Sequence, residues 1–279
     1  MITVITSCYN SKPDYLRESI KSILGQTYQD FEFLIADNGA GLNLKEFLAQ
    51  FNDSRIKYID NGGNIGPTKS YDNLAELAKG KYVALQDHDD ISLPDRLEVE
   101  KQALDNEPKL MSVSGKIHIF GKYEKDDGEG MAPESVKEEL IFWQPIKQPT
   151  FMKRKSFCQK YKYNPEFMIY DYEFWSRTRK VPHRILDKIV LKYRKSAGNS
   201  TKERAHNVRA EHAKIVQRNL KLLKIDAPIE MCSLLDPYNH TKQPRKYADL
   251  FLTYKDKLLK HISQKLFERK LNEIISKTY

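Results

Sequence analysis

Long apolar runs are absent from this chain, and cysteine is scarce. No stretch of about 18 consecutive apolar residues occurs, which excludes a membrane-spanning helix. The chain opens directly on a β-branched segment instead of a basic segment followed by an apolar one, so no secretory leader is expected. Cysteine appears three times, at Cys8, Cys158 and Cys232. Three widely separated thiols make neither a disulfide framework nor a Cys-x-x-Cys zinc site, and a reducing cytoplasm fits them best. Signals for nucleic-acid binding are also lacking: carboxylates stay mixed among the basic residues, and no recognition-helix, zinc or aromatic RNA-binding motif accompanies them. What remains is 279 residues, 40% hydrophobic and 11% aromatic. That suits one α/β domain with an appendage and a sizeable core.

The order of segments gives the fold class. Ile2-Thr3-Val4-Ile5-Thr6-Ser7 reads as a central strand, and Leu16, Ile20 and Ile23/Leu24 recur at helical spacing. Phe31 to Ala36 reads as a second strand running into Asp37-Asn38-Gly39. A helix from Leu44 to Phe51, a strand at Ile56 to Ile59, the loop Gly62-Gly63-Asn64-Ile65-Gly66, a helix through Ala78 and a strand from Tyr82 complete the series. Such alternation predicts a mostly parallel, doubly wound, Rossmann-like sheet with right-handed crossovers. The glycine loop lacks the spacing of a dinucleotide fingerprint and reads as a tight loop instead.

The strand at Tyr82 ends in Asp87-His88-Asp89-Asp90. Carboxylates at the carboxyl edge of a parallel sheet lie where ligands of open α/β folds bind. Three carboxylates within four residues repel one another, and hard divalent cations prefer such oxygen ligands while bridging to phosphates. The alternative is a polar loop whose aspartates cap the next helix. His88 points away from its neighbours along an extended segment, which favours a pocket-wall or solvent position over a metal ligand.

Taken in order, Tyr9-Asn10, Gln26-Thr27-Tyr28-Gln29-Asp30-Phe31-Glu32, Asp37-Asn38-Gly39, Asn64-Ile65-Gly66, Ala78-Lys79-Gly80-Lys81-Tyr82 and Asp87-His88-Asp89-Asp90 closely resemble the family 2 glycosyltransferases of GT-A fold, the type found in bacterial polysaccharide, capsule and O-antigen synthesis. The likeness is specific over roughly the first 100 residues and looser to about residue 224. There Gln148-Pro149-Thr150-Phe151-Met152 resembles the strand after the acidic motif, and Asp171-Tyr172-Glu173 resembles the acceptor-side acidic motif. Tyr193-Arg194 stands where many members have a Tyr-Arg pair followed by a histidine, and here the later position is Ser196. The resemblance divides the chain into a nucleotide-sugar-binding half at 1–110, an acceptor-binding half at 111–204 and a basic helical extension at 205–279.

The resemblance implies an inverting hexosyltransferase that moves a sugar from a nucleotide-diphosphate sugar, a UDP-sugar first of all, to a hydroxyl of a glycan or lipid-linked saccharide, with Mn²⁺ or Mg²⁺. It makes Asp89 the metal ligand, while Asp87 reaches donor hydroxyls or the metal through water and Asp90 supports them or caps the next helix. Asp37 contacts the base or only forms a turn, Tyr9 stacks on the base, and Asn64 and Lys69 lie near the phosphates. Asn38 and Ala40 replace a second acid and a serine of many members, leaving the ribose contacts open. Asp171 is the general base or the cap of its helix, with Glu173 as the alternative base. Arg194 pairs with the diphosphate or is one exposed base among many. Two other readings stay open: a nucleotidyltransferase on a similar sheet, and a degenerate, non-catalytic binding subunit.

Charge marks the extension. Residues 205–279 hold 15 Lys plus Arg against 8 Asp plus Glu, so seven of the nine net positive charges lie there. One helix is expected from Val208 to Leu223 and a second from Tyr247 to Ile275, the latter aligning Phe251, Leu258, Ile262 and Leu266. Lys255, Lys257, Lys260, Lys265, Arg269 and Lys270 surround that stripe. It serves as a docking face on the host domain, a homodimer contact, or a peripheral contact with the inner face of the membrane.

Overall fold

The computed structural model describes residues 1–195, 205–236 and 244–276, the last without residues 277–279. The described residues form two compact units, one of Met1–Pro133, Ile146–Pro165 and 181–195, the other of Glu134–Pro145, Glu166–Lys180 and the residues from 205 on. The chain therefore passes between them more than once. The position expected to separate two halves, after residue 110, falls inside the first unit, whose sheet draws strands from both sides of it.

The first unit is built on strands β1 (Ile2–Cys8), β2 (Phe31–Asp37), β3 (Ile56–Asp60), β4 (Tyr82–Leu85), β5 (Ile91–Ser92), β6 (Ser112–Gly121), β7 (Lys125–Asp127), β8 (Met152–Arg154) and β9 (His183–Lys195). They form a single sheet in the order β3-β2-β1-β4-β8-β6-β9-β5, with β7 on β6. The first four strands pair in parallel throughout, as the βαβ pattern predicts. The remainder is mixed: β8 runs antiparallel to β4 and β6, while β9 runs parallel to β6. β1 is buried along nearly its whole length, as expected for a parallel strand covered on both faces. Leu16, Ile20 and Ile23 of the helix Pro13–Leu24 pack into that core. Gly80 precedes β4 for a steric reason: a Cβ there would lie 2.5 Å from the Thr3 backbone nitrogen. The result is a mixed α/β domain, with a parallel sheet where the sequence predicts one.

The second unit is helical. Its core joins Ile141 and Phe142 to Tyr172, to Ile215, Val216 and Leu220 of the helix Ala205–Leu222, and to Phe251, Leu258, Ile262, Leu266 and Phe267. The helix expected from Tyr247 to Ile275 is instead three: Pro244–Thr253, Lys255–Leu258 and Gln264–Ile275. The breaks have a packing cause. In one straight helix Phe251 and Phe267 would be about 24 Å apart, but here their rings stack at 5.1 Å. The chain doubles back to achieve this, and the Ser263 side chain caps the restart by accepting from the Leu266 N–H at 3.3 Å. The apolar stripe is thus consumed inside this unit, every member no more than 5% exposed, which removes it as a subunit or lipid contact. Lys270, read as part of the basic surround, is itself buried against Glu273. No helix among the described residues is long and apolar enough to cross a membrane.

Candidate active site

Register aligns the ends of the first strands. Cys8 pairs with Asp37, Asp37 with Asp60, and Ile5 with Leu85, so Tyr9, Asp37-Asn38, Asp60-Asn61 and Gln86-Asp87 leave the sheet along one edge. This is the carboxyl edge, the ligand-binding side of open α/β sheets.

At β2 the chain turns sharply. Asp37 Oδ1 accepts from the backbone N–H groups of Gly39 and Ala40 at 3.1 and 3.0 Å, an Asx-type turn. One carboxylate oxygen therefore forms the turn that the sequence allowed for. Gly39 takes φ +90°, a conformation that disfavours any side chain, and the Tyr9 ring lies beside it, 3.4 Å from where a Cβ would stand. Tyr9 remains 49% exposed, an aromatic face open at the strand ends.

A web of amides joins this turn to the glycine loop. Buried Asn38 accepts through Oδ1 from the Ile65 N–H at 3.0 Å and from Asn61 Nδ2 at 3.3 Å, and donates to Asn64 Oδ1 at 3.4 Å. Asn61 also donates to Ser70 Oγ at 2.9 Å, and Asn64 Oδ1 accepts from the Gly66 N–H at 2.9 Å. A charged acid at position 38 would have no cation in this web, which accounts physically for a neutral amide there. Asn38, Asn61 and Ser70 were not singled out as a group by the sequence reading, because hydrogen bonds between separate loops leave no periodic trace. Lys69 is exposed in the first turn of the helix Pro67–Leu77.

The acidic loop is held from below and from the side. Beneath it, fully buried Gln86 donates to the Asp87 and Asp90 carbonyls and to Ser19 Oγ, and accepts from Ser92 Oγ and Arg96 Nη1. Arg96 donates to the Leu85 carbonyl at 2.7 Å and pairs with Glu100 at 3.2 Å, both side chains wholly enclosed. Burial pushes the Glu100 carboxyl up to about 7 against the pull of Arg96. In sequence this pair looks like an ordinary surface i,i+4 pair, so its burial was not legible. From the side, the pairing of Ile91 with Lys192 brings Arg194 to the loop. Its backbone N–H donates to Asp90 Oδ1 and its Nε to the Asp89 carbonyl, both at 2.8 Å. Its guanidinium pairs with Glu18 and lies over the rings of Tyr15 and Phe120 at 4.1 and 4.5 Å. Arg194 is therefore a brace for the acidic loop. Ser196 lies outside the described residues.

The carboxylates of the loop differ. Asp87 accepts from the Tyr71 hydroxyl at 3.2 Å, and burial followed by the Asp89 charge pushes its carboxyl up to about 6. Asp90 is fully buried and its carboxyl is raised well above the usual range, by burial and then by Asp87 and Asp89, with Oδ2 unpartnered among the described residues. Asp90 therefore faces the interior, leaving Asp87 and Asp89 as the half-buried pair. His88 is half-buried with Nδ1 unpartnered among the described residues, matching a pocket-wall position. No three His, Cys, Asp or Glu side chains among the described residues converge into a protein cage for a metal. One or two carboxylates under mutual repulsion fit a hard cation that takes its other oxygens from phosphate and water, which is how Mg²⁺ and similar ions are commonly held.

Asp171 belongs to the second unit. It stands inside the first turn of the helix Tyr170–Arg177, so it is not the residue that precedes the helix. Oδ1 accepts from the Tyr172 N–H at 2.8 Å and Oδ2 from Gln144 Nε2 at 3.0 Å, while burial raises its carboxyl. Glu173 is buried and paired with Arg177 at 3.1 Å and Arg218 at 2.9 Å, a structural commitment that removes it as the alternative base. All three cysteines are free and buried, and burial pushes Cys8 and Cys232 up to about 12, so none is a reactive thiolate.

The family model of glycosyl transferase family 2 matches residues 3–178. An uncharacterized glycosyltransferase of Methanocaldococcus jannaschii is 30% identical over 210 residues, covering 70% of each chain. A UDP-Glc:α-D-GlcNAc-diphosphoundecaprenol β-1,3-glucosyltransferase of Escherichia coli is 31% identical over 146 residues, 52% of this chain and 54% of that protein. Among solved structures, S. aureus TarS 1–349 with UDP-GlcNAc superposes with TM-score 0.64 at 16% identity, over 99% of this chain and 88% of the other. The Pyrobaculum calidifontis mannosyltransferase PcManGT, solved with GDP-Man and Mn²⁺, gives 0.58 at 14% identity, over 98% and 85%. At such identities the likeness shows the fold.

Proposed function

This chain belongs to glycosyl transferase family 2, and we propose that it is an inverting, cation-dependent hexosyltransferase that uses a UDP-sugar and delivers the sugar to a hydroxyl of a glycan or lipid-linked saccharide. The observation that carries this reading is the meeting of Tyr9, Asp37, the asparagine web and the Asp87/Asp89 pair on one sheet edge. The exposed Tyr9 ring stacks on the nucleobase, and the Asp37 oxygen not used in the turn accepts from it. Asn64 and Lys69 flank the start of the helix Pro67–Leu77, whose free N–H groups favour the diphosphate. Asp89 would hold Mn²⁺ or Mg²⁺ with Asp87 beside it, and the bound ion would offset the charge on the departing diphosphate. Tyr71 holds the Asp87 carboxylate, and Arg194 holds the backbone of Asp89. Asp171 takes the acceptor proton; its raised carboxyl suits a base working near neutral pH.

The amide web favours an active donor site over a degenerate one, because Asn38, which stands where the resemblance expects a second acid, is held by three hydrogen bonds. A cytoplasmic enzyme reaching lipid-linked acceptors at the inner membrane face needs contact there. In this reading exposed Lys255, Lys257 and Lys260 supply it by charge alone, since the apolar stripe is spent in the core. The test is a panel of UDP- and GDP-sugars incubated with Mn²⁺ or Mg²⁺. Release of UDP that stops in EDTA supports the reading, and inverted anomeric configuration in the product supports direct displacement. Absence of any nucleoside diphosphate release across the panel rejects it.

A further inference from the structure

The segment Gln148-Pro149-Thr150-Phe151-Met152 has no part in the transfer reaction as described, and it leads directly into an enclosed amine. Lys153 stands in β8, paired with Val83 of β4, and is 2% exposed. Its Nζ lies 3.8 Å from the centre of the Phe151 ring and 4.8 Å from that of Tyr163, and it donates to the Tyr163 hydroxyl at 2.9 Å. Gln148 donates to the same hydroxyl at 2.9 Å. Tyr163 in turn donates its backbone N–H to Asp72 Oδ2 at 3.1 Å, and its ring lies 6.3 Å from that of Tyr71. Asp72 and Tyr71 are successive residues of the helix Pro67–Leu77, and the Tyr71 hydroxyl is the group that donates to Asp87. The space enclosed among these side chains is about 10 Å³, room for at most one water, so Lys153 meets no substrate there.

Enclosing an ammonium is costly, and an apolar side chain of similar volume is often as stable or more so. Burial pushes the Lys153 amine down to about 8, against the pull of Cys158 and Asp72. Packing alone therefore gives no reason for a lysine here; what it orients does. The ammonium fixes the Tyr163 hydroxyl and Asp72 fixes the Tyr163 backbone, which together set the Tyr163 ring against Tyr71. Tyr71, 8% exposed in that packing, presents its hydroxyl to Asp87 at 3.2 Å. We propose that Lys153 is a positioning residue for the Asp87 carboxylate, acting through Tyr163 and Tyr71. This deepens the reading of Asp87 as part of the donor cation site and rests on it. Gln148 and Phe151 serve the same arrangement, one on the Tyr163 hydroxyl and the other beneath the ammonium.

A double-mutant cycle tests it, read as the affinity of the full chain for Mn²⁺ in the presence of UDP by titration calorimetry, with a melting curve for each protein. Tyr71→Phe, which removes a hydroxyl and little volume, should weaken Mn²⁺ about fivefold, the worth of one hydrogen bond. Lys153→Met should weaken it about two- to fivefold, since it acts through that same bond. Added to Tyr71→Phe, Lys153→Met should bring no further loss, because the group through which it acts is already gone. Tyr163→Phe, which takes away a single oxygen, should match Lys153→Met and covers the case in which that variant does not fold. In steady-state assays Lys153→Met and Tyr163→Phe should raise the Mn²⁺ concentration for half-maximal transfer more than they lower kcat at saturating Mn²⁺. Unchanged Mn²⁺ affinity in the folded variants overturns the proposal, for a lysine that serves packing alone shifts the melting temperature and not the metal. A full further loss on top of Tyr71→Phe overturns it as well, by giving Lys153 another route. Wild-type protein that binds UDP without any affinity for Mn²⁺ removes the donor cation reading and this proposal with it; wild type and variants that bind Mn²⁺ equally remove this proposal alone.

Discussion

In the first unit Asp37 ends β2 and Asp87 and Asp89 follow β4, the two strands that flank β1, whereas in the second Asp171 stands inside a helix turn and is fixed by Gln144, a residue 27 positions away. The electrostatics differ as well. Asp87 is raised by burial and by a like charge beside it, so an added cation relieves it; Asp171 is raised by burial, and its hydrogen bonds pull the other way. One arrangement suits holding a positive ion, the other suits taking a proton. In the proposed reading, two carboxylates of the same chemistry take different roles because of what surrounds them.

The sharpest way to break this contrast is at Asp89. Asp89→Asn should lower transfer by about 10⁴-fold, several kcal/mol of lost charge stabilisation, with an unchanged melting curve. Retention of most activity, or wild-type turnover in EDTA, would remove Asp89 as the ligand. Asp171→Asn should reduce kcat by about 10²–10⁴-fold, with donor affinity little altered. Its pH response adds a second reading. A base must be ionised, and burial raises this carboxyl, so wild-type kcat should fall with acidification at a pH above the ordinary carboxylate range of about 4. The variant should lose that limb. The same raised carboxyl favours the protonated fold, so its contribution to stability is complete at low pH and declines as pH rises through the raised value. Asp171→Asn should therefore be no less stable than wild type at neutral pH. A loss seen mainly in donor binding would move Asp171 into the donor pocket.

Smaller effects probe the supports. Arg96→Met leaves Glu100 buried without its cation and should cost about 3–5 kcal/mol in urea unfolding, whereas Arg96→Met with Glu100→Leu should recover much of it. A single variant as stable as wild type would show that the pair is not enclosed as described. Tyr9→Ala should weaken UDP by about 1–3 kcal/mol, the usual worth of one stacked base, measured by titration; unchanged affinity would take the ring out of the nucleotide site. Smallest of all, Lys255→Gln with Lys257→Gln and Lys260→Gln should shift stability by less than about 0.5 kcal/mol, as exposed positions do. The triple variant should nevertheless reduce sedimentation with anionic liposomes at low salt. Wild-type protein that ignores such liposomes would end the membrane role of this surface.

How far the sequence could be read followed the range of the interactions involved. The strands at Ile2, Phe31, Ile56 and Tyr82 and the helix at Pro13 were legible because their apolar spacing is local, and each of these strands lies within a residue of its expected bounds. The tail was legible only in part. Phe251, Leu258, Ile262 and Leu266 were recognisable as one apolar stripe, but the breaks at Tyr254 and around Ser263 were not, because the stacking of Phe251 on Phe267 rewards a reversal that no helical periodicity records. At the site, the aspartates stood out as residues; the hydrogen bonds that distinguish Asp90, turned inward, from Asp87 and Asp89 did not.

Periodicity, composition and the order of short motifs determined the α/β sheet, the edge that carries the candidate site and the family to which the chain belongs. Tertiary structure alone decided that Arg194 braces the acidic loop and does not stand free, that Glu173 is locked between two arginines, and that Asn38 is held in a web of amides. The reason is physical. Secondary structure is set by neighbours a few residues apart, whose pattern is written along the chain, whereas the protonation and partners of a buried group depend on which distant segments fold against it.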